Sequence, residues 1–238
     1  MIFSNQLTSI LLCLISFASL GQITSGKITF ERKTNLLKKY PGRYMGKFIK
    51  EGDKRKIDVF HLYFNDSLSV FVPADDEVTG RRSWMTTRNK VIQNIKSGTR
   101  MSVFNVWGQE AFIIDSLVDR EWKITDNHRK IGQHLCTQAV YHMNDSTRIY
   151  AWYSEEVIPS IGPETYRGLP GAILGLATED GGVVYFAKKV EELEPDFKKI
   201  TPKKGRKTYS EKDFRKKLEE EFVNRGYGQS MVEEVFKW

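Results

Sequence analysis

The residues best suited to metal binding are three histidines and a cysteine within one short stretch, His128, His134, Cys136 and His142. Imidazole and thiolate groups are ligands that copper and zinc accept. In a strand, residues two apart share a face, so His134, Cys136 and His142 would point the same way. At about 3.3 Å per residue, His134 and His142 lie roughly 26 Å apart, too far to share a metal ion. His134 and Cys136 are therefore metal candidates only with ligands from a neighbouring strand, and no cofactor is predicted.

Patterns typical of nucleophilic or paired-acid catalysis give no complete catalytic set. The sequence contains neither a G-x-S-x-G elbow nor a glycine-rich phosphate loop. Cys136 lies two residues from His134, but strand neighbours do not by themselves give the geometry of a nucleophile and its base. Glu155 and Glu156, followed by Glu164, resemble paired carboxylates, yet adjacent strand residues face opposite ways. No catalytic residue is predicted, and a thiol- or carboxylate-dependent hydrolase is kept as an alternative.

Residues 151–178 join two strand-like segments through a connection rich in proline and glycine. Leu169, Pro170 and Gly171 fit a type II turn, with proline second and glycine third. The connection is either a structural corner or a ligand-facing loop on a rigid scaffold. On the second interpretation, the predicted ligand-binding residues are Trp152, Tyr153, Glu155, Pro159, Gly162, Pro163, Tyr166, Gly168, Leu169, Pro170 and Gly171.

The same connection carries a family resemblance. Residues 168–174 read GLPGAIL and follow Ala-Trp-Tyr at 151–153, Ile-Pro at 158–159 and Gly-Pro at 162–163. This combination resembles the signature of the GLPGLI family of Bacteroidota, secreted proteins whose function is largely uncharacterised, with Ala172 where the family usually has leucine. Shorter matches upstream extend the resemblance over most of the mature chain. The resemblance implies an exported protein and names no reaction.

The first 21 residues have the pattern of a secretory signal peptide. An apolar stretch at 7–20 ends in small residues, which predicts cleavage near Gly21 and Gln22. The stretch is short for a membrane span, and Cys13 lies within it behind two leucines, unlike a lipid-acceptor cysteine. We therefore expect a soluble periplasmic or secreted protein that is neither transmembrane nor lipid-anchored. Its lone mature cysteine, Cys136, cannot form an intramolecular disulfide and is expected to be buried.

The formal net charge of +7 permits anionic partners. A basic segment from Lys198 to Lys207 concentrates part of this charge beside Pro202 and Gly205. Because no aromatic residues interleave with it, base stacking is not expected and no nucleic-acid partner is predicted. The segment is interpreted as a solvated linker, with peripheral membrane contact as an alternative role.

Short strands with turn residues about every ten positions predict a mostly β (α+β) fold, a single curved antiparallel sheet with a C-terminal helix. Hairpins are expected at 58–72, around Gly108 and around Gly181. Residues 73–99 are expected to form a surface loop, and residues 126–128 a turn. In outline this resembles the half-barrel of periplasmic lipoprotein carriers, which is an analogy of fold alone.

The C-terminal helix is expected to begin at a cap on Thr208 paired with Glu211. Its apolar stripe comprises Phe214, Leu218 and Phe222, and we expect it to pack on the sheet of the same chain, with a partner as the alternative. The predicted organisation is a signal peptide at 1–21, a β domain at 22–197, a basic linker at 198–208 and a helical segment at 209–238.

The working hypothesis is a non-enzymatic binding or accessory module for an apolar or peptidic ligand, or for an outer-membrane or other envelope partner. Its basis is the signal peptide, the aromatic-rich sheet and the lack of a recognisable catalytic set. The alternatives are the hydrolase above and a copper- or zinc-handling protein around His134 and Cys136.

Overall fold

The computed structural model describes residues 21–39, 49, 52, 54–74, 85–106, 108–145, 147–205, 207–224 and 230–237. The predicted signal peptide lies outside the described residues except for Gly21. Twelve strands are present in the described ranges: β1 (Gly26–Asn35), β2 (Arg55–Phe64), β3 (Leu68–Pro73), β4 (Lys90–Asn94), β5 (Thr99–Val106), β6 (Gln109–Ser116), β7 (Lys123–Ile131), β8 (His134–Asn144), β9 (Thr147–Ser154), β10 (Ala172–Thr178), β11 (Val183–Glu192) and β12 (Thr208–Tyr209). The helices are α1 (Leu36–Lys39), α2 (Phe197–Ile200), α3 (Glu211–Asn224) and α4 (Ser230–Lys237).

These strands form one open sheet in the order β12-β6-β5-β4-β3-β2-β1-β11-β10-β9-β8-β7. Every pairing is antiparallel except that of β12, which runs parallel to β6. The predicted mostly β fold with a C-terminal helix is confirmed, but the sheet is mixed and not purely antiparallel. Two meanders, β2 to β6 and β7 to β11, meet at β1, which pairs with both β2 and β11.

One face of the sheet, here called the core face, carries the main apolar core. Phe30 pairs with Phe60 and Leu62 with Phe71 across neighbouring strands, and all four are almost fully buried. The connection at 155–171 covers this face, and its apolar residues join the same cluster: Val157, Ile161, Tyr166 and Leu169.

The opposite face, here called the outer face, is covered at one end of the sheet by the β7–β8 hairpin. A side chain at Gly175 of β10 would lie 3.0 Å from the Ile131 side chain of β7. The Arg129 guanidinium lies 5.0 Å from the Trp152 ring and 5.1 Å from the Phe186 ring. β7 thus contacts β11 although three strands separate them, so this end of the sheet is strongly curled.

The predicted type II turn at Leu169 is replaced by a tighter one. The Gly171 N–H donates to the Leu169 carbonyl over 2.7 Å, a three-residue turn centred on Pro170. The Ala172 N–H donates instead to the Val157 carbonyl over 2.8 Å, at the residue where β10 begins. Gly171 has a φ of 138°, and a side chain there would lie 2.1 Å from the Ser154 carbonyl oxygen.

The C-terminal helices pack on the core face at the β5–β6 end. The predicted stripe on α3 is buried against β5, β6 and α4, in a cluster formed by Phe104, Ile113, Phe214, Leu218, Phe222 and Val232. The predicted cap on Thr208 is wrong, because Thr208 belongs to β12. Ser210 takes this role, since its Oγ accepts from the Asp213 N–H over 3.1 Å and donates to the Asp213 carboxylate over 2.7 Å.

Two further expectations are corrected. Residues 73–99 include a strand, β4, between β3 and β5. Residues 126–128 are not a turn but lie within β7, where the pairing with β8 shifts between Ile124 and His128. Such a bulge on an edge strand accommodates residue types that usually favour turns. Within the described ranges, no helix combines the length and apolar character needed to cross a membrane.

The predicted basic linker contains short elements of structure. Its first residues belong to α2 and its last residue to β12. Gly205 lies against Phe112 of β6, where a side chain would come within 2.4 Å of the ring. Its described lysines are exposed at positions 198, 199, 203, 204 and 207.

The corner at Gly171 predicts a specific stability loss. Gly171→Ala should destabilise the fold by about 3 kcal/mol or more, since a left-handed φ and a backbone clash both oppose the new side chain. Gly98→Ala is the matched control, because Gly98 has a φ of 69° but no atom near the added carbon, and about 1 kcal/mol is expected. Urea unfolding measures both, and equal losses would contradict the proposed clash.

Candidate functional site

A buried charged cluster crosses the core face where β1 meets β2 and β11. Arg32 of β1 pairs in register with Asp58 of β2 and Tyr185 of β11. The Arg32 guanidinium donates to Asp58 over 2.8 Å and to the Thr87 carbonyl over 2.5 Å. Arg32 is only 2% exposed, so these partners balance a charge that lies almost entirely out of water.

Glu164 reaches this cluster from the connection at 155–171. Its Oε1 accepts a 2.7 Å hydrogen bond from the Tyr185 hydroxyl and lies 3.9 Å from Arg32. Its Oε2 is buried with no hydrogen-bond partner in the described part of the chain. Burial raises the pKa of Glu164 to about 7, against the opposing effects of Arg32 and of the hydrogen bond from Tyr185.

The backbone of Glu164 is also unusual. Its φ is 56°, and no other non-glycine residue in the described ranges has a positive φ. The Gln93 side-chain amide donates to its carbonyl over 3.3 Å, which helps to hold this conformation. Left-handed backbone and a strongly shifted pKa at one buried residue are features that cluster at functional sites.

Glu164 lines a cavity of about 150 Å³ between the core face and the C-terminal helices, here called the inner chamber. Its walls come from β4, β5, the segments at 118–120 and 164–165, and helices α3 and α4. The lining residues are Asn89, Val91, Arg100, Ser102, Phe104, Val118, Arg120, Glu164, Thr165, Glu211, Arg215 and Phe236. The chamber therefore has a mainly polar and charged wall, and Ser102 contributes a buried hydroxyl with no partner in the described ranges.

An open cavity of about 750 Å³, here called the outer groove, adjoins the inner chamber. The two share the residues Arg100, Val118, Glu211 and Arg215. Glu211 forms ion pairs with Arg100 and, over 3.0 Å, with Arg215. Burial acts to raise the pKa of Glu211, but the hydrogen bonds from these two arginines outweigh it and hold the pKa below its usual value. This chain of ion pairs ties α3 to β5 at the boundary between the two spaces.

The predicted ligand-binding residues do not form one site in the described structure. Trp152 lies on the outer face, Glu155 is exposed in the turn after β9, and Tyr153 is buried on the core face. The rest belong to the connection, where Pro159, Gly162, Pro163, Tyr166, Leu169 and Gly171 are buried while Gly168 and Pro170 are exposed. None of them lines the inner chamber, although Glu164 and Thr165 lie between Pro163 and Tyr166 in the chain.

His134 and Cys136 occupy separate environments on β8. The His134 Nδ1 lies 2.6 Å from a Glu156 carboxylate oxygen, so its nearest acidic partner comes from the turn after β9. Cys136 is fully buried, and burial followed by the charge of Glu156 raises the pKa of its thiol to about 12. Among the described residues, no three His, Cys, Asp or Glu side chains converge in a way that would hold a metal ion.

The central residues of the site, Arg32, Asp58 and Arg120, were not among the predicted site residues, and Glu164 appeared only as a possible paired carboxylate. The sequence does contain a signal for the first two. Arg32 continues the alternating series of Ile28 and Phe30, and Asp58 begins the series of Phe60 and Leu62. Both charged residues therefore lie on the buried side of their strand. A charged residue on the buried side of a strand indicates a buried partner of opposite charge.

Glu164 predicts a pH-dependent stability. Between pH 4.5 and 7 the folded chain holds a proton on this residue that the unfolded chain releases, so the residue makes the fold less stable as the pH rises. We expect the wild-type protein to lose about 3 kcal/mol relative to Glu164→Gln between pH 4.5 and 8, as measured by urea unfolding.

Glu211→Gln is the control for that comparison. The pKa of Glu211 is lowered, so its contribution is already complete above pH 4.5 and is lost only at lower pH. The difference in stability between this variant and the wild type should therefore stay constant from pH 5 to 8. The same constancy for Glu164→Gln would contradict a raised pKa at Glu164.

The burial and raised pKa of Cys136 predict that its thiol does not react in the folded protein. In a chain that begins at Gln22 and so lacks Cys13, a disulfide reagent at pH 8 should label the native protein negligibly, because the thiolate is scarce and the sulfur is covered. The same chain in urea should be labelled to one equivalent. Rapid labelling of the native chain would instead favour a thiol-dependent enzyme.

Comparison with known proteins gives a local family match and a fold match. A family described as "Protein of unknown function (Porph_ging)", which is associated with Bacteroidota, matches residues 141–175. This range includes β9, the connection and the first half of β10. No curated protein matches the chain.

Among solved structures, PNGF-II in a C2 crystal form is 15% identical with a TM-score of 0.57, over 81% of this chain and 32% of that chain. A second crystal form of PNGF-II is 14% identical with a TM-score of 0.52, over 78% and 32%. An uncharacterised conserved protein from Thermus thermophilus is 5% identical with a TM-score of 0.41, over 79% and 92%. This chain thus spans about a third of the PNGF-II chains that it matches, and the likeness concerns the fold.

Proposed function

We propose that this chain is an exported, non-enzymatic binding or accessory module of the GLPGLI type, which holds a group of a peptidic ligand or of an envelope partner in the inner chamber. The signature at 168–174 and the match at 141–175 support the family assignment. The signal pattern at 1–21 supports export to the periplasm or the medium. The exposed lysines at 198–207 provide a basic surface for peripheral contact with the envelope.

The observation that carries this proposal is the unsatisfied polarity of the inner chamber. Glu164 Oε2 and Ser102 Oγ are buried without partners in the described ranges, and both residues line the chamber. Each such atom costs about 1–3 kcal/mol when it is left without a hydrogen bond. A ligand with acceptor oxygens recovers that cost, because the Ser102 hydroxyl can donate to it, as can the Glu164 carboxyl when it is protonated. The charged wall favours a peptidic or otherwise polar group over an apolar one.

The chamber also gives a specific basis for the carboxylate-dependent alternative. Glu164 has a pKa near 7, which suits a residue that both accepts and donates a proton at neutral pH. Glu211 is a second carboxylate in the same wall, held ionised by Arg100 and Arg215. Two carboxyl groups with pKa values shifted in opposite directions are the pattern of an acid and base pair.

Native mass spectrometry of the mature protein, purified from its source organism, tests the binding proposal. We expect a peptide or partner to be retained by the wild type and lost from Ser102→Val, which removes a hydroxyl with little change in the size of the side chain. Ser69→Val is the matched control, because the Ser69 hydroxyl is likewise buried without a partner in the described ranges but does not line the chamber. Equal retention by both variants would contradict a role for the chamber.

Incubation of the recovered ligand with fresh wild-type protein separates binding from hydrolysis. A ligand of unchanged mass supports the binding module. Cleavage that is abolished in Glu164→Gln, where the side chain keeps its shape but cannot ionise, would support the carboxylate-dependent hydrolase instead.

A further inference from the structure

We propose that the inner chamber is an oxyanion site in which Arg120 holds a carboxylate or phosphate group of the ligand. This inference rests on the proposed function and adds the chemical class of the group that is bound. It follows from how Arg120 is positioned, from the lack of a carboxylate within 4 Å of it in the described ranges, and from the size and charge of the space beside it.

Arg120 is held in place by neutral groups. Its two terminal nitrogens donate to the Thr165 carbonyl over 2.7 Å and to the Thr165 hydroxyl over 2.8 Å. Its guanidinium lies over the Tyr166 ring at 4.1 Å and near the Tyr141 ring at 5.8 Å. A guanidinium has five N–H donors, so about three stay uncommitted while the group is already oriented. A fixed fork with unused donors suits the paired oxygens of a carboxylate or a phosphate.

No carboxylate lies within 4 Å of Arg120 in the described part of the chain, and the charge of Glu211 acts on it only from further away. Five other arginines each lie within 4 Å of a carboxylate: Arg32, Arg100, Arg148, Arg167 and Arg215. Arg120 has no such partner among the described residues, although it is half-buried and burial lowers the pKa of its guanidinium. Withdrawing a cation from water is unfavourable until an anion pairs with it. A bound oxyanion would supply this missing charge.

The charges of the residues that line the chamber favour the binding of an anion. Three arginines and two glutamates line it, and Glu211 is already shared between Arg100 and Arg215. Glu164 is held toward Tyr185 and Arg32 through its Oε1. The Ser102 hydroxyl adds a neutral donor that has no partner in the described ranges. Arg100 and Arg215 also keep N–H donors, but both are already paired with Glu211, so Arg120 and Ser102 are the donors least committed to groups of the chain itself.

The volume limits what can enter. About 150 Å³ corresponds to roughly five water molecules, which fits one carboxylate or phosphate group with a short stem. The outer groove, with about 750 Å³, has room for the remainder of a larger ligand. Four basic residues, among them Lys212 and Lys216 of α3, line this groove against three acidic residues, so its wall is weakly positive.

The test is a nuclear magnetic resonance titration of the mature full chain with sodium acetate and, separately, with inorganic phosphate, each at constant ionic strength. We expect saturable shifts of the Arg120 Nε–H and of the backbone amides of Thr165 and Ser102. Saturation with acetate assigns a carboxylate, and saturation with phosphate assigns a phosphate group. No saturable shift with either anion overturns the proposal.

Variants separate a specific site from general attraction to a basic protein. Arg120→Gln should weaken the binding by about tenfold to a hundredfold, which is the range expected for loss of a charged hydrogen-bond donor. Arg120→Lys keeps the charge without the fork, and it serves if the first variant fails to fold; binding should still weaken clearly. Arg148→Gln is the control, since Arg148 is an exposed arginine of β9 paired with Glu179, and binding should be unchanged. Equal affinity in Arg120→Lys, Arg148→Gln and the wild type would overturn the role of Arg120.

The outcome is distinguishable from failure of the proposed function. A saturable anion site in a protein that retains no natural ligand would leave the oxyanion site standing and remove the binding module. A natural ligand that Arg120→Lys retains as well as the wild type does would support the module and overturn the oxyanion site.

Discussion

The buried charge of Arg32 is the interaction on which the arrangement of this protein depends. A guanidinium in the middle of a large sheet is tolerable only if an anion and further hydrogen-bond acceptors reach it. Asp58 comes from the neighbouring strand, and Glu164 comes from the connection that covers the core face. The contacts that Glu164 makes with Arg32 and Tyr185 therefore help to fix where residues 155–171 lie on the sheet. The same contact brings Glu164 and Thr165 to the wall of the inner chamber.

Arg32, which is buried, and Arg120, which is half-buried, illustrate two environments for a cation that is partly or wholly withdrawn from water. Arg32 has carboxylates, a tyrosine hydroxyl and a carbonyl around it, and its charge is balanced. Arg120 is equally well oriented, but by a threonine and two aromatic rings that carry no negative charge. The first arrangement stabilises the fold and gives nothing to a ligand. The second leaves the guanidinium without a carboxylate within 4 Å, which is the feature on which the proposed oxyanion site rests.

Local patterns in the sequence were sufficient for elements that alternate regularly or carry a strong turn. The β2–β3, β5–β6 and β10–β11 hairpins and the stripe of α3 follow from them. β4 was not predicted, because it is short, lies in a charged segment and forms through its pairing with β3 and β5. The inner chamber was not predicted for a similar reason. Ser102, Glu164 and Glu211 are far apart in the sequence, and only the long-range packing of the chain brings them together. Only the charges of Arg32 and Asp58, which lie on the buried sides of their strands, indicated from the local sequence that a buried polar cluster is present.

The central position of β1 has a consequence for how the chain reaches this structure. β1 pairs with β2 early in the chain, but its other edge waits for β11, whose residues lie about 150 positions later. Contacts between such distant segments close a long loop and slow the search for the native state. Until β11 is available, β1 presents an open edge to other chains. A chain of this topology benefits from emerging in full before it folds, which is the situation of a polypeptide threaded unfolded across a membrane.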